Sequence, residues 1–291
     1  MNVLSVRYSH LNEIHGMNTW LRIIVLTSCV FVLAAWPVRA AEPASPSPKK
    51  GVGLVVGPTN GWQKKLTALN CRWFYSWWFE TPANIPDGVE FVPMLWGPGP
   101  RTISAYRQLT EEHRAGRHQV LLGYNEPDVL EEANLSVGKA LEVWPKLLGT
   151  GIRLGSPGVA HPERRWLAEF MRGAAERNYR VDFIAMHSYG GTDVATFLDG
   201  LARVHEKFER PIWITELGVA DWDARDHKAS RYSPADVKKF MAAAIPALEK
   251  LDYIERYAWF PASPANRLLG ASALFDEAGN LTELGRLYSS F

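Results

Sequence analysis

An apolar run ends in a rigid turn at residues 118–128, which read HQVLLGYNEPD. The run shows no alternation of apolar and polar positions, which is the pattern of a strand buried on both faces of a parallel sheet. Pro127 stops the strand, so Glu126 stands where the strand emerges into solvent. Glu126 is therefore either a solvated turn residue or one half of a catalytic pair of carboxylates.

Seven further apolar runs have the same character, and amphipathic stretches with helical periodicity lie between them. The other candidate strands cover residues 51–57, 72–79, 89–97, 152–159, 181–189, 211–218 and 254–261. The candidate helices cover residues 62–69, 136–148, 165–177, 194–208 and 234–251, with a short closing helix at 280–290. A further helical signal at 80–88 is weak, because two prolines interrupt it.

Eight strand–helix units in about 240 residues predict a (β/α)8 TIM barrel, an α/β fold formed by a single domain. A doubly wound open sheet is the alternative, and it usually has fewer strands and a glycine-rich phosphate turn. The first run, GVGLVVG at residues 51–57, lacks that turn because Val56 stands where the motif requires its last glycine. The sequence therefore favours the barrel.

The N-terminal residues have the composition of a targeting segment. Met17 begins a stretch with one basic residue before an apolar run at 23–35, and the small residues Val38 and Ala40 follow. That order is typical of a secretory signal peptide, and the run is too short to span a bilayer. We therefore expect residues 1–40 to be an N-terminal extension and signal peptide of a secreted or periplasmic protein.

Residues 41–50 are rich in proline and serine and predict an extended linker before a barrel domain at 51–291. Cys29 lies in a sequence that loosely resembles a lipoprotein box, but the apolar run continues past it, so no lipid anchor is expected. Cys71 is then the single cysteine of the mature chain, which excludes an intramolecular disulfide.

The overall charge and the motif content exclude several classes of protein. The formal net charge is +1, which gives no reason to expect nucleic acid as a partner. The sequence contains no phosphate loop, no G-x-S-x-G elbow and no H-E-x-x-H pair, so no cofactor, metal or serine nucleophile is expected. Nothing in the sequence indicates an obligate oligomer, and we expect a monomer.

The C-terminal ends of all strands in a (β/α)8 barrel meet at one mouth, where the active site lies. The predicted strand ends carry two carboxylates, one imidazole and several aromatic rings. These candidate site residues are Tyr75, Trp77, Trp96, Asn125, Glu126, His187, Tyr189, Glu216 and Trp259. The chain has twelve tryptophans, and an indole offers a flat apolar face with one N–H group, which suits the face of a sugar.

Hydrolysis of a glycosidic bond requires two carboxyl groups, one to protonate the leaving oxygen and one to attack the anomeric carbon or activate water. The predicted strands that end at Glu126 and Glu216 lie opposite each other in the ring. Carboxyl groups placed there can approach to about 5 Å, the separation that retaining enzymes use. Each glutamate taken alone is also compatible with a solvated turn, and His187 and the aromatic rings are also compatible with core packing.

Three segments of the sequence resemble glycoside hydrolase family 128, and the resemblance extends over nearly all of the predicted domain. They are GYNEPD at 123–128, MHSYG at 186–190 and WITELG at 213–218. The resemblance implies endo-acting, retaining cleavage of β-1,3-glucan, with Glu126 as acid and base and Glu216 as nucleophile. It also implies that the substrate contacts Asn125, Tyr75, Trp77, Trp96, His187, Tyr189 and Trp259.

Two other functions remain open from the sequence. The same catalytic residues would serve a β-glycanase with another substrate, such as a mixed-linkage glucan or a mannan. A non-catalytic carbohydrate-binding barrel would need only the aromatic residues, and the presence of both Glu126 and Glu216 argues against it.

Overall fold

The structure, a computed structural model, describes residues 46–100, 102–224 and 230–291. The predicted signal peptide and residues 41–45 of the predicted linker lie outside the described residues. Within the described residues, eight strands lie within one residue of their predicted runs. They are β1 (Lys50–Gly53), β2 (Trp73–Tyr75), β3 (Glu90–Phe91), β4 (Val120–Leu121), β5 (Arg153–Leu154), β6 (Ile184–Gly190), β7 (Ile212–Val219) and β8 (Ile254–Trp259).

The strands form a closed ring. Six are hydrogen-bonded side by side in the order β3-β2-β1-β8-β7-β6, and β4 pairs with β5. The parallel bridges Met94–Leu122 and Gly155–Phe183 join these two groups on both sides. This arrangement confirms the (β/α)8 barrel, and it gathers the C-terminal ends of the strands on one face.

Helices surround the ring, and none within the described residues is both long and apolar enough to cross a membrane. They are α1 (Trp62–Leu69), α2 (Thr102–Arg114), α3 (Val137–Leu148), α4 (Arg165–Glu176), α5 (Val194–Phe208), α6 (Pro234–Lys250) and α7 (Glu283–Ser289), with a 3₁₀ turn at Gly270–Ser272. Helix α2 has no counterpart among the predicted helices. The weak helical signal at 80–88 does not produce a helix, and the chain forms a loop there.

The predicted helix starts are correct where a serine precedes the helix. Ser136 accepts a hydrogen bond from the Lys139 amide at the start of α3. Ser233 and Asp236 form a reciprocal capping box at the start of α6. Each cap satisfies amides that the first turn of a helix leaves unpaired.

The end of the predicted linker belongs to the barrel domain. Strand β1 begins at Lys50, whose buried ammonium group donates to the carbonyl oxygens of Tyr288 at 3.0 Å and Phe291 at 2.6 Å. Ser47 donates to Glu249 at 2.8 Å. These contacts tie β1 to α7 and α6, and the burial of Lys50 lowers the pKa of its ammonium group.

Aromatic side chains fill the interior of the barrel. The rings of Phe183 and Trp213 stack with centroids 4.5 Å apart, and Trp73 lies 5.3 Å from Trp213. Two glycines make room for these rings: Gly51, in β1 beside β2, and Gly155, directly after β5 and beside β6. A Cβ on Gly51 would lie 2.2 Å from Trp73, and one on Gly155 would lie 2.4 Å from Phe183.

Ion pairs line the N-terminal end of the barrel below these rings. The Arg256 guanidinium lies 4.4 Å from the centroid of the Trp213 ring and pairs with Glu90 at 2.6 Å. Arg153 pairs with Glu255 through both guanidinium nitrogens. The barrel is therefore a packed core with a charged base, and its functional face is the opposite end.

Gly51→Ala should destabilise the protein by about 1–3 kcal/mol, because the added methyl group overpacks the interior. Trp73 has little freedom to move away, since its indole N–H donates to the Lys49 carbonyl at 3.0 Å and its ring packs against Trp213. Chemical denaturation measures the free energy of unfolding. The control is Gly138→Ala in α3, where a Cβ meets no atom within 4 Å and should be neutral or stabilising. Equal unfolding free energies in the two variants would contradict the proposed packing.

Candidate active site

Glu126 is held by an unusual backbone turn directly after β4. Its φ angle is 41°, in the left-handed region that residues other than glycine rarely adopt. Its amide donates to the Gly158 carbonyl at 2.7 Å, which ties the turn to the chain after β5. Such a conformation costs of order 1–3 kcal/mol and persists only where surrounding contacts fix it. The turn therefore fixes where the Glu126 side chain leaves the barrel.

Glu216 lies within β7 and is buried. The pairing of β7 with β6 shifts register between Met186 and His187, and the pairing with β8 shifts between Ile214 and Leu217. These irregularities bracket Glu216 and its neighbour Thr215. Bulges of this kind re-aim a side chain, and they commonly lie beside active sites.

Three aromatic donors hold the Glu216 carboxylate. The Trp77 indole N–H donates to Oε1 at 2.7 Å, and the Tyr75 hydroxyl lies 3.2 Å from the same oxygen. The Tyr189 hydroxyl donates to Oε2. Burial, and then the charge of Glu216, raise the pKa of Tyr75 and Tyr189 well above the usual value. Both hydroxyls therefore stay protonated. Tyr189 donates to the carboxylate, and the single Tyr75 proton is shared between Glu216 and the Thr215 carbonyl, which lies 3.0 Å from the hydroxyl.

His187 lies between the two glutamates. Its Nδ1 is 2.7 Å from Glu126 Oε1, and its Nε2 is 3.5 Å from Glu216 Oε1. Burial is the largest single influence on the His187 pKa and lowers it, but the charges of Glu216 and Glu126 outweigh burial and the net pKa is raised. A protonated His187 places an N–H toward each carboxylate.

The two carboxylates and the imidazole form one compact group. One ligand atom from each of Glu126, His187 and Glu216 lies within 4.8 Å of the others. An oxygen of each carboxylate thus lies within 4.8 Å of the other, on the scale of the roughly 5 Å between the carboxyl groups of retaining glycosidases. The same three groups offer oxygen and nitrogen atoms that suit a divalent transition metal.

Asn125 and Glu132 extend this group along the mouth of the barrel. The Asn125 amide donates to Glu132 at 3.3 Å, and its buried Oδ1 has no hydrogen-bond partner within the described residues. Burial and the charge of Glu126 raise the pKa of the Glu132 carboxyl. Glu132 was not predicted from the sequence, because it lies in the loop after β4 and no motif marks it.

A cavity of about 1340 Å³ opens above the two glutamates, and we call it the main cavity. Its wall includes the predicted residues Trp77, Trp96, Asn125, Glu126, His187, Tyr189 and Glu216. Tyr75 is fully buried beneath it and contacts Glu216 instead of the cavity. Of the nine candidate residues, the structure thus places seven on the cavity wall and one directly behind it.

Trp259 lies away from the main cavity, in disagreement with the substrate-binding role predicted for it. Its ring is fully buried beside Tyr288, and its indole N–H donates to the Ser272 carbonyl at 2.9 Å. The next residue, Phe260, lines the cavity and packs edge-on against Trp77 and Tyr189. Since successive side chains in a strand face opposite sides, an aromatic pair at a strand end presents only one ring to the mouth.

Trp222, in the loop after β7, is a cavity residue that the sequence did not identify. Its side chain is 54% exposed, and its indole N–H donates to the Tyr189 carbonyl at 2.8 Å. The adjacent Asp221 accepts two hydrogen bonds from the Arg231 side chain, at 2.6 and 2.9 Å. The contacts with Arg231 lower the Asp221 pKa to about 2, so this pair anchors the loop at any ordinary pH.

Asp128, two residues after Glu126, connects two loops of the mouth. Its carboxylate accepts hydrogen bonds from the amides of Ala160 at 3.0 Å and His161 at 2.9 Å. These contacts join the turn that carries Glu126 to the loop after β5. The acidic residue therefore has a structural role close to the catalytic candidate.

The His187 ring should titrate above its ordinary pKa of 6.5, because two carboxylates stabilise its protonated form. Nitrogen-detected NMR of the imidazole measures this titration. Glu126→Gln and Glu216→Gln should each lower the His187 pKa, since each removes one negative charge. Glu142→Gln removes an exposed carboxylate on α3 and should leave the titration unchanged. An unaltered His187 titration in both glutamate variants would contradict the bridging position.

The same shift predicts how His187 contributes to stability. A pKa raised on folding favours the folded state while the group is protonated, so the contribution is complete below about pH 6.5. It should disappear as the pH rises through the folded pKa. The difference in unfolding free energy between the parent protein and His187→Gln should therefore shrink over that range. If the difference in unfolding free energy between the two proteins grew with pH, folding would lower the His187 pKa instead of raising it.

Comparisons with known proteins identify the family and relatives of the same fold. The model of the glycosyl hydrolase catalytic core family matches residues 53–288. An endo-β-1,3-glucanase of glycoside hydrolase family 128, subgroup I, from Amycolatopsis mediterranei, solved with laminaritriose, is 35% identical. Its TM-score is 0.72, and the match covers 84% of this chain and 99% of that one. A subgroup II endo-β-1,3-glucanase from Sorangium cellulosum is 26% identical with a TM-score of 0.68, over 83% and 98% of the two chains.

One curated relative is a longer protein. Alkali-sensitive linkage protein 1 of Schizosaccharomyces pombe is 27% identical over 259 residues. The match covers 85% of this chain but 45% of that protein. This chain therefore spans less than half the length of the curated relative that it matches.

Proposed function

The chain belongs to the glycosyl hydrolase catalytic core family, and on that basis we propose that it is a secreted, retaining endo-β-1,3-glucanase. The observation that carries the proposal is the pair formed by Glu126 and Glu216, whose oxygens lie within 4.8 Å across the barrel mouth. The solved relatives named as endo-β-1,3-glucanases support the choice of substrate and the endo mode. The apolar run at 23–35 supports secretion, and N-terminal sequencing of the exported protein tests it.

In the proposed first step, Glu216 attacks the anomeric carbon while protonated Glu126 donates its proton to the leaving glycosidic oxygen. A covalent glycosyl–enzyme intermediate results. Glu126, now ionised, then takes a proton from water, and that water attacks the anomeric carbon and releases Glu216. Two inversions at the same carbon give retention of configuration.

The environments of the two glutamates support different roles. Glu216 accepts hydrogen bonds from Trp77 and Tyr189, which hold its carboxylate in a fixed orientation for attack. Glu126 contacts His187 through Oε1 alone, so Oε2 is available to carry the transferred proton toward the sugar. Asn125 adds a buried acceptor, Oδ1, for a substrate hydroxyl next to the cleaved bond.

Assays of sugar release from laminarin, curdlan, mixed-linkage glucan, cellulose and mannan test the substrate. We expect hydrolysis of the β-1,3-linked polymers and a mixture of internal cleavage products. NMR of the first products should show the β-anomer, as retention requires. Activity on mannan or cellulose alone would show that the substrate is a β-glycan other than β-1,3-glucan. Binding without any hydrolysis would indicate a non-catalytic carbohydrate-binding barrel.

Glu126→Gln should lower turnover on polysaccharide by roughly 10²–10⁴-fold, because the leaving oxygen loses its proton donor. A substrate with a good leaving group should recover much of the rate of its first step. Glu216→Ala should be nearly inactive, and azide should restore turnover with an inverted glycosyl azide as product. Glu142→Gln, on the exposed face of α3, is the matched control. Near-normal turnover of polysaccharide by either active-site variant would contradict the assigned roles.

Trp77→Phe keeps an aromatic ring on the cavity wall but removes the N–H that donates to Glu216 at 2.7 Å. A hydrogen bond to a charged group contributes about 1.5–3 kcal/mol, so kcat should fall roughly 10- to 100-fold. KM should change less, since the ring remains. Trp144→Phe is the control, because it removes an N–H that donates to the Arg180 carbonyl at 3.1 Å, and neither residue lines the main cavity. A change confined to KM would assign Trp77 to substrate binding alone.

A further inference from the structure

A second, smaller cavity adjoins the main cavity on the side of β2 and β3. Its volume is about 440 Å³, and we call it the second cavity. It is lined by Trp78, Phe79, Leu95, Trp96, Gly97, Pro98, Gly99, Pro100, Thr102, Ala133 and Leu135. Trp96 lines both cavities, and no charged side chain lines the second one within the described residues. The described wall of this space is apolar apart from Thr102, which suits the flat apolar face of a ligand.

The two indoles of the second cavity differ from most others in the protein. Six tryptophans donate their indole N–H to a protein acceptor, namely Trp73, Trp77, Trp144, Trp166, Trp222 and Trp259. Within the described residues, Trp78 and Trp96 have no hydrogen-bond acceptor for this group. An indole with an unused N–H presents a flat face and a donor together, which a pyranose ring with its hydroxyl groups can use.

Internal hydrogen bonds hold one wall of the second cavity. The Thr102 hydroxyl donates to the Gly99 carbonyl at 2.6 Å and accepts from the Gly99 amide at 2.9 Å. Pro98 and Pro100 restrict the backbone on either side of that glycine. A preformed wall avoids the entropy cost of ordering a loop on binding.

The second cavity is connected to the catalytic pair through the backbone. The Trp96 carbonyl accepts a hydrogen bond from the Asn125 amide at 2.9 Å, one residue before Glu126. Trp96 itself is 37% exposed between the two cavities. The two cavities therefore share the Trp96 indole as a wall, and the backbone of that residue is hydrogen-bonded to the segment that carries Glu126.

We propose that the second cavity is a distal glucosyl subsite, in which Trp78 forms the far platform and Trp96 the wall shared with the main cavity. The occupant is a sugar unit of the same β-1,3-glucan chain that is cut in the main cavity. This inference rests on the proposed function. It assigns to Trp78 a role in the preference for longer oligosaccharides, separate from the chemistry at the two glutamates.

Binding of laminaritriose and laminarihexaose to the Glu216→Gln protein tests this inference, because hydrolysis is then blocked. Isothermal titration calorimetry gives the two affinities, and their ratio is the readout. Trp78→Leu removes the platform and should lower the preference for the hexasaccharide roughly three- to tenfold. Ala133→Leu keeps Trp78 but fills the second cavity, and it should lower the same ratio. This second variant decides the outcome if Trp78→Leu fails to fold.

Ile103→Ala is the matched control. Ile103 is exposed beside Thr102 but lines neither cavity, so the ratio should not change. If the parent protein binds both oligosaccharides and the ratio is unchanged in Trp78→Leu and Ala133→Leu, the distal subsite is wrong and the proposed function stands. If the parent protein binds neither oligosaccharide, the proposed function fails, and the distal subsite fails with it.

Discussion

The imidazole of His187 lies between Glu126 and Glu216 and contacts both carboxylates. The rest of the site depends on holding these three groups close together. Two ionised carboxylates this close repel each other, and more strongly where they are partly buried than in bulk water. A protonated imidazole between them offsets part of that repulsion, and the N–H of Trp77 and the hydroxyl of Tyr189 provide further donors. The aromatic residues near Glu216 therefore act as hydrogen-bond donors as well as apolar walls.

The barrel keeps this arrangement in place through features remote from the site. Irregular pairing of β7 with both neighbours aims Glu216 at the mouth, and the left-handed turn at Glu126 is fixed by its bond to Gly158. Beneath them, Trp73 and Trp213 form a close-packed interior that has room only because β1 carries Gly51. A close-packed interior resists small displacements, so the separation of the two glutamates is well defined.

The parts of the structure that depend on local patterns were predictable from the sequence. The eight strands are short apolar runs. Glu126 follows one of them and Glu216 lies within another, each in a distinctive motif. The parts that depend on long-range contacts were not. Trp222 is positioned by its bond to Tyr189 and by the Asp221–Arg231 pair beside it, which no local pattern reports. Helix α2 was missed because two of its four buried residues, Thr102 and Glu112, are polar. Trp259 lies off the cavity because its side of the strand depends on one residue of register.

The filled interior of the barrel also limits how a polymer can pass through the protein. Among the described residues, the packed rings of Phe183, Trp213 and Trp73 fill the lumen between the mouth and the charged base formed by Arg256 and Arg153. A long chain cannot thread through the lumen, so both of its ends must remain on the same side of the molecule while it is bound. The strand must lie across the mouth or bend within it, and after a cut each fragment can dissociate sideways without the other having to leave first.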